Sequence, residues 1–374
     1  MIRRRNPMSD FHLVRRSDFS LVRLVIYYAI GIIISLAIGA ILLMSLNINP
    51  LEYYGRMLTM GLIGNNFAYK TIESLIKIFV PLLITSLALG LAFKMRFWNI
   101  GGEGEFLTGA ICASVVAFNS KGMNPVITVV LMCLAAMLSS GLIGLAVAAL
   151  KVKFNTNETL MTLMINYIML YVIKYLGDTK ADWNFFLRDD SDRPIFGEFP
   201  ENAQMGGISI GFFTLNYSLI VAVILTVLIY FYIKMTKQGY EISVVGDSSA
   251  TAKYAGMNVG WIVLRTMFIS SALIGLAAGL ATSTAGTVST SITNNVGWTG
   301  IIVAWLSKLS VPAIFITSIL ISVLQCGCRA AATQYPAIDQ NFADILQGII
   351  LFSVLVADFA ATFKIARKGD SANA

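Results

Sequence analysis

Five stretches of this 374-residue chain contain no Asp, Glu, Lys or Arg over 20 residues or more. Because a helix of roughly 20 apolar residues crosses a bilayer, these runs predict an all-α, polytopic transmembrane helical bundle. Charged residues make up only 13% of the chain, whereas soluble domains carry about twice that fraction. The continuous runs also differ from the alternating segments of a membrane β-barrel. The charge-free stretches are 24–51, 122–150, 202–233, 266–307 and 309–328.

The breaks between apolar runs predict about ten spans. A basic N-terminal segment, 1–23, and a basic tail, 363–374, flank a single transmembrane domain at 24–362. Positive charge concentrates on the cytoplasmic side of membrane proteins, so both termini are expected in the cytoplasm. The polar insert at 177–215 holds seven acidic and three basic residues and is expected outside. The predicted spans lie near 24–46, 72–93, 98–118, 125–149, 158–176, 216–233, 260–281, 296–309, 311–330 and 342–362.

Two segments are ambiguous in the sequence. Residues 52–70 mix apolar, aromatic and polar side chains, which favours an external interfacial helix over a further partial span. The long run 266–307 is rich in Ser, Thr, Gly and Asn at its centre, so it predicts a helix, a break and a second helix. The segment after the break, within 285–309, is either a full crossing or a re-entrant helix.

Composition and missing motifs exclude several function classes. The net charge of +7 arises beside predicted spans, which indicates membrane topology rather than nucleic-acid binding. The single His and four Cys within or beside apolar runs do not predict a metal site. The chain has no G-x-x-x-x-G-K-[ST] loop and no hydrolase motif, so it is not predicted to be an enzyme. Any ATP must be hydrolysed by another chain.

Polar side chains inside apolar spans mark the candidate substrate site, because the bilayer offers them no partner. The segment 97–105 carries three glycines, two acids and an Asn. It predicts either a cavity or hinge, or close helix packing through small residues. Asn166 fits a substrate contact or an interhelical hydrogen bond, and Thr282–Gly300 fits a ligand wall or an external loop. The candidate substrate-binding residues are Asn99, Glu103, Asn166, Tyr167, Asn294, Asn295 and Trp298.

The polar segment at 236–259 is the candidate cytoplasmic coupling loop. Asp247 suits an N-cap and Gly256 suits the left-handed C′ position, so a helix of about two turns is predicted between them. A helix so short is unstable alone. It is therefore expected to dock, either on a partner subunit or on the protein's own membrane face. The candidate coupling residues are Gly239, Glu241, Gly246, Asp247, Ala252 and Gly256.

Several segments resemble, in the right order, permease subunits of ABC importers for nucleosides and simple sugars, which are related to ribose and branched-chain amino acid permeases. Asn99–Ala110 resembles the N-I-G-x-E-G-x-x-x-x-G-A signature of that family, and Asn157–Tyr167 resembles the N-E-x-x-x-T-x-M-L-N-Y block of its nucleoside branch. Gly297–Ala304 and Leu346–Leu351 are similar to its G-F-x-G-I-A-V-A and I-Q-G-L-I-L blocks. The coupling loop departs from the usual E-L-R-A-V-G, because Ser243 stands at the position of the Arg.

The resemblance implies a bacterial inner-membrane permease that translocates nucleosides by alternating access. It implies a second permease subunit, usually a distinct homologue, two cytoplasmic ATPase subunits and an external substrate-binding lipoprotein. ATP is then bound by the partners, and no cofactor is expected in this chain. The sequence leaves open a simple sugar such as ribose, since Asn, Tyr and Trp bind both kinds of substrate. A proton-coupled secondary transporter using Glu103 and Glu158 is the alternative of a different class.

Overall fold

The computed structural model describes residues 11–15, 21–60, 68–188, 190–211, 213–335, 338 and 340–367. In this part the chain forms thirteen helices and four short strands. The helices are α1 (Leu21–Ser45), α2 (Pro50–Met60), α3 (Ala68–Lys94), α4 (Gly102–Asn119), α5 (Pro125–Phe154), α6 (Glu158–Asp178), α7 (Tyr217–Met235), α8 (Lys237–Asp247), α9 (Ser249–Tyr254), α10 (Val259–Ala285), α11 (Val296–Leu306), α12 (Val311–Ala332) and α13 (Gln340–Thr362). The strands are β1 (Phe11–Arg15), β2 (Gly207–Ile210), β3 (Phe213–Asn216) and β4 (Phe363–Arg367).

The predicted all-α membrane bundle is confirmed, and each of the ten predicted spans coincides with a helix. Eight helices within the described ranges are long and apolar enough to cross a membrane, namely α1, α3, α5, α6, α7, α10, α12 and α13. Of the ten helices that coincide with predicted spans, α4 and α11 are not among these eight. At about 1.5 Å per residue, the 11 residues of α11 extend only about 16 Å, so α11 is too short for a full crossing.

The chain divides into two compact units, one of residues 62–326 and one of residues 1–61 with 327–374. In the larger unit α10 packs against α5, α3 and α4. Small residues allow these approaches: a Cβ atom on Gly275 would overlap the carbonyl group of Ala136. The helix α3 continues through Pro81, and the half that follows is buried.

The smaller unit contains α1, α2 and α13. The helices α1 and α13 pack together, and the Tyr28 hydroxyl donates a hydrogen bond to Asp358 at 2.7 Å. The helix α2 lies where a helix was predicted within 52–70, although residues 61–67 are outside the described part. The strands β1 and β4 pair antiparallel, with Phe11 opposite Arg367. Residues 1–10 and 16–20 of the predicted N-terminal segment 1–23, and residues 368–374 of the predicted tail 363–374, lie outside the described residues.

The polar insert between α6 and α7 is bonded to one end of the larger unit. It contains the antiparallel pair β2–β3 and a short 3-10 turn, Glu201–Ala203. The Phe199 N–H donates to the carbonyl of Gly286 at 2.8 Å, and the Ser283 hydroxyl donates to the carbonyl of Ala203 at 2.8 Å. The insert is therefore fixed to the end of α10.

The candidate coupling loop forms two helices where the sequence predicted one. The prediction of Asp247 as an N-cap is wrong, because Asp247 is the last residue of α8. The Ser248 side chain caps α9 instead, by accepting a hydrogen bond from the Thr251 N–H at 3.2 Å. The predicted C′ position is confirmed, since Gly256 has φ +75°. Burial explains the longer helix, because α8 places Ile242 and Val245 in an apolar cluster.

Candidate functional site

A buried hydrogen-bond network holds the first turn of α4. The Asn99 amide nitrogen donates to both carboxylate oxygens of Glu105, at 3.1 and 3.2 Å, and Ser271 on α10 donates to Glu105 at 2.8 Å. All three residues are fully buried. Ser140, near the midpoint of α5, donates to the Glu105 carbonyl at 2.7 Å. A buried carboxylate requires such donors, so this network ties α4 to α5 and α10.

Asn166 on α6 clamps the same segment through its side-chain amide. Its nitrogen donates to the Ile100 carbonyl at 2.8 Å, and its oxygen accepts from the Gly104 N–H at 2.8 Å. Thr162, one turn earlier, accepts from the Ile100 N–H at 3.1 Å. These bonds satisfy backbone groups that have no helical partner where α4 begins. The interhelical hydrogen bond that the sequence allowed for Asn166 is therefore present.

The glycines of this segment are close-packing positions. A Cβ atom on Gly104 would lie 2.7 Å from the backbone of Ile165, and one on Gly101 would lie 3.1 Å from Thr162. On α11, a Cβ atom on Gly297 would lie 2.7 Å from the Gly102 carbonyl carbon and overlap the Glu103 nitrogen. Of the two interpretations of residues 97–105, close helix packing is the one observed.

Glu103 lies where the N-termini of α4 and α11 meet. It is in the first turn of α4 and only 7% exposed, and its carboxylate faces the Thr293 hydroxyl and the backbone N–H groups of Gly297 and Trp298. The positive ends of two helices stabilise a carboxylate at this point. Its Oε1 atom has no hydrogen-bond partner among the described residues. Glu103 therefore has one buried acceptor atom without a hydrogen bond in this arrangement.

The break between α10 and α11 lines a cavity of about 140 Å³. Thr293 contributes to its wall and also faces Glu103, while Asn294 has φ +46° and Asn295 has φ +58°. Lys77 on α3 also lines the cavity and has no ion-pair partner within 4.0 Å in the described part of the chain. The lining of the cavity thus combines the Lys77 amine, the hydroxyl groups of serine and threonine, and the Asn294 amide.

The structure brings together most, but not all, of the predicted substrate-binding residues. Glu103, Asn294 and Asn295 lie at the start of α11, where Trp298 contributes its backbone N–H while its side chain is 42% exposed. Asn99 and Asn166 flank the adjoining start of α4, where their amides bind protein groups. Tyr167 faces away from this site on α6. Lys77 and Thr293 were not predicted as site residues. The available signal for Lys77 was its position as a lysine within an apolar span. Thr293 had no such signal, because it is one of many hydroxyl residues in its segment.

The predicted coupling segment packs on the protein's own spans. Ile242 and Ala252 are fully buried with Ala92 of α3, and a Cβ atom on Gly246 would overlap the Lys94 carbonyl oxygen. Gly239 makes a similar close contact with the end of α7. The opposite face is open to solvent, with Tyr254 93% exposed.

One ion pair joins this segment to α10. The Arg265 guanidinium lies 3.0 Å from the Glu241 carboxylate, and both side chains are mostly buried. The Ser271 side chain that holds Glu105 lies on the same helix. The ion pair with α8 and the hydrogen bond to the buried network are therefore both made by α10.

The protein family described as "Branched-chain amino acid transport system / permease component" matches residues 71–355. The chain belongs to this permease family. It is a multi-pass protein of the bacterial inner membrane, and ATP hydrolysis in such systems is carried out by separate subunits. Family membership also implies ATPase and other partner subunits for the permease.

Three relatives are similar over most of their lengths. The guanosine ABC transporter permease protein NupP of Bacillus subtilis is 29% identical over 77% of this chain and 82% of its own. The glucose ABC transporter permease protein TsgB13 of Haloferax volcanii is 26% identical over 89% and 88%. The nucleoside ABC transporter permease protein NupB of Lactococcus lactis is 26% identical over 84% and 86%.

Proposed function

We propose that this permease translocates nucleosides by alternating access, driven by partner ATPase subunits. The observation that carries the proposal is the polar break inside the bundle, where Glu103, Thr293 and Asn294 meet beside a cavity. Two of the three relatives described above are permeases for guanosine or nucleosides, which supports the substrate class. The glucose permease relative supports a simple sugar as the second candidate.

The chemistry of the break suits a nucleoside. The free Oε1 of Glu103 accepts a hydrogen bond from a ribose hydroxyl or a base N–H, and Lys77 donates to an acceptor such as a base carbonyl. The cavity is smaller than the roughly 300–1,000 Å³ of typical small-molecule sites. Substrate therefore enters in a state in which α11 has moved and the break has opened, as alternating access requires.

The partner set follows from the same proposal. A second permease, two cytoplasmic ATPase subunits and an external substrate-binding lipoprotein complete the importer, and this chain binds no cofactor itself. Both termini are cytoplasmic, and the insert at 177–215 is external and docks the lipoprotein. The exposed face of α8 and α9, with Tyr240 and Tyr254, docks an ATPase subunit.

The test is uptake into vesicles that hold the chain with its partner subunits and ATP. Labelled guanosine is expected to accumulate and labelled glucose is not. Glu103→Gln removes the charged acceptor and raises the half-saturating guanosine concentration about tenfold, the size expected for one hydrogen bond to a charged group. Glu52→Gln, on the exposed face of α2, is the matched control and leaves uptake unchanged.

Two outcomes contradict the proposal. Accumulation of glucose without guanosine assigns the site to simple sugars. Guanosine uptake that persists without ATP and follows an imposed proton gradient assigns the chain to secondary transporters.

A further inference from the structure

The helix α12 carries three buried polar residues on one face, although its sequence contains no charge before Arg329. Ser318, Ser322 and Gln325 follow one another at spacings of four and three residues, which places them on one side of the helix. Their exposures are only 0%, 0% and 1%. They extend over about 10 Å of the helix axis. We use the name polar face of α12 for these three residues.

The helix α12 runs alongside α11 and is bonded to both of its ends. The Gln325 Nε2 atom donates to the carbonyl of Asn294, in the break before α11, at 3.2 Å. At the other end of α11, the Ser307 hydroxyl donates to Thr317 at 3.0 Å. The polar face therefore begins beside the break that holds the proposed substrate site.

The polar face is directed into the bundle. Ile314, one turn before Ser318 on the same side, lies 3.2 Å from the position of a Cβ atom on Gly90 of α3. The opposite side of α12 is turned outward, since Ile316 and Leu320 are 59% and 64% exposed. The polar face is thus covered by the elements that surround the break.

Each residue of the polar face has a polar atom without a hydrogen bond in the part of the chain that the structure describes. These atoms are the Ser318 and Ser322 hydroxyls and Gln325 Oε1. Other buried serines of the spans donate to the carbonyl four residues earlier, as Ser86 and Ser114 do at 2.6 and 2.7 Å. Buried polar atoms without partners are unfavourable and rare. Three on one face therefore indicate a surface that meets water or a ligand in another state.

The same lack of partners is found on the other sides of α11. Thr85 on α3 is fully buried with an unpartnered hydroxyl, and its methyl group lies 3.3 Å from the position of a Cβ atom on Gly300. The unpartnered Oε1 of Glu103 belongs to a side chain that packs on Gly297. At both contacts α11 presents a glycine, which fills space without donating a side-chain hydrogen bond. Displacement of α11 therefore opens a space lined by polar atoms of α3, α4 and α12.

We propose that the polar face of α12 is a second wall of the substrate path and becomes accessible when α11 moves. The Gln325 amide then leaves the Asn294 carbonyl and pairs with the edge of the base, since its nitrogen donates and its oxygen accepts. The hydroxyls of Ser318 and Ser322 bond to ribose hydroxyls or to water. This inference rests on the nucleoside substrate and the alternating access proposed above.

Cysteine labelling of the complete transporter in nanodiscs tests the accessibility. In a background with the four native cysteines replaced, Ser322→Cys is expected to react with a charged thiol reagent at least about tenfold faster during ATP hydrolysis than without ATP. The factor follows if the open state is populated to about 10% or less at rest. Ser318→Cys is expected to behave in the same way, and it replaces Ser322→Cys if that variant does not assemble.

Leu320→Cys is the matched control, because it lies on the opposite side of the same helix. Its reaction rate is expected to be the same with and without ATP. If the serine variants also react at rates that ATP does not change, the polar face stays packed and the inference is wrong.

Uptake by Gln325→Leu tests the contact with the base. Maximal rates are compared for guanosine and for purine riboside, whose base lacks the carbonyl and amino groups of guanine. Gln325→Leu is expected to lower the guanosine rate about tenfold more than the purine riboside rate, the size expected for about one hydrogen bond. An equal loss for both nucleosides, or no loss, overturns the contact with the base.

Failure of the proposed function gives a different result. Absence of guanosine uptake by the wild-type complex contradicts the nucleoside substrate. The labelling experiment uses ATP without substrate, so it still decides whether the polar face of α12 opens.

Discussion

The contact between α11 and α4 gives the sharpest test of the site, through Gly297→Ala. A Cβ atom at this position would lie 2.7 Å from the Gly102 carbonyl carbon and overlap the Glu103 nitrogen. Both are backbone atoms, so the helices must separate to admit the methyl group. Overpacking of this kind costs about 1–3 kcal/mol. Separation also moves the N–H groups of Gly297 and Trp298 away from the Glu103 carboxylate.

Gly300→Ala is the matched control, one turn later on the same helix. Its Cβ atom would lie 3.3 Å from the side-chain ends of Leu89 and Thr85, which can adjust by a few tenths of an ångström. Alanine also favours a helix over glycine by about 1 kcal/mol, and this gain applies to both variants. The two variants are therefore expected to differ by about 1–3 kcal/mol in stability.

The assay is thermal unfolding of the solubilised transporter, followed by guanosine uptake in vesicles. Gly297→Ala is expected to melt at least about 2 °C below Gly300→Ala and to lose most uptake. Gly300→Ala is expected to retain both properties. If the two variants melt and transport alike, α11 does not pack on Glu103 as described, and the substrate site is not at this break.

Three further predictions concern coupling and topology. Glu241→Arg alone, or Arg265→Glu alone, is expected to abolish substrate-stimulated ATP hydrolysis, and the variant with both exchanges is expected to recover part of it. If all three variants are equally inactive, the ion pair has no role in coupling. Gly256→Pro forces a negative φ and removes the N–H that donates to the Lys253 carbonyl at 3.0 Å, so substrate-stimulated ATP hydrolysis and uptake are expected to be lost together. Gly256→Asn, which tolerates a positive φ, is expected to retain both. A cysteine replacing Asp190 is expected to react with impermeant reagent from outside; reaction only from the cytoplasmic side contradicts the external insert.

The positions of the helices followed from local sequence. The apolar run after Asn124 predicts a span, and the structure begins α5 there, with the Asn124 side chain accepting from the Val126 N–H at 3.0 Å. Asn157 caps α6 in the same way. Such signals act over a few residues, so they can be recognised without knowledge of the fold.

The coupling segment shows where local signals fail. Local sequence predicted an N-cap at Asp247, next to Ser248. Burial of Ile242 and Val245 extends α8 through Asp247, so the cap falls to Ser248. A contact between distant segments therefore overrode the local prediction.

The sequence by itself determined that this chain crosses a membrane many times, because the absence of charge over 20 or more residues is a property of each segment alone. Only the tertiary structure decided what the polar residues inside the spans contact. Asn166 and Tyr167 are adjacent in the chain, yet one amide is bound to the start of α4 while the neighbouring ring is exposed. Successive residues point about 100° apart around a helix, and the faces become distinct only when other helices pack against one of them.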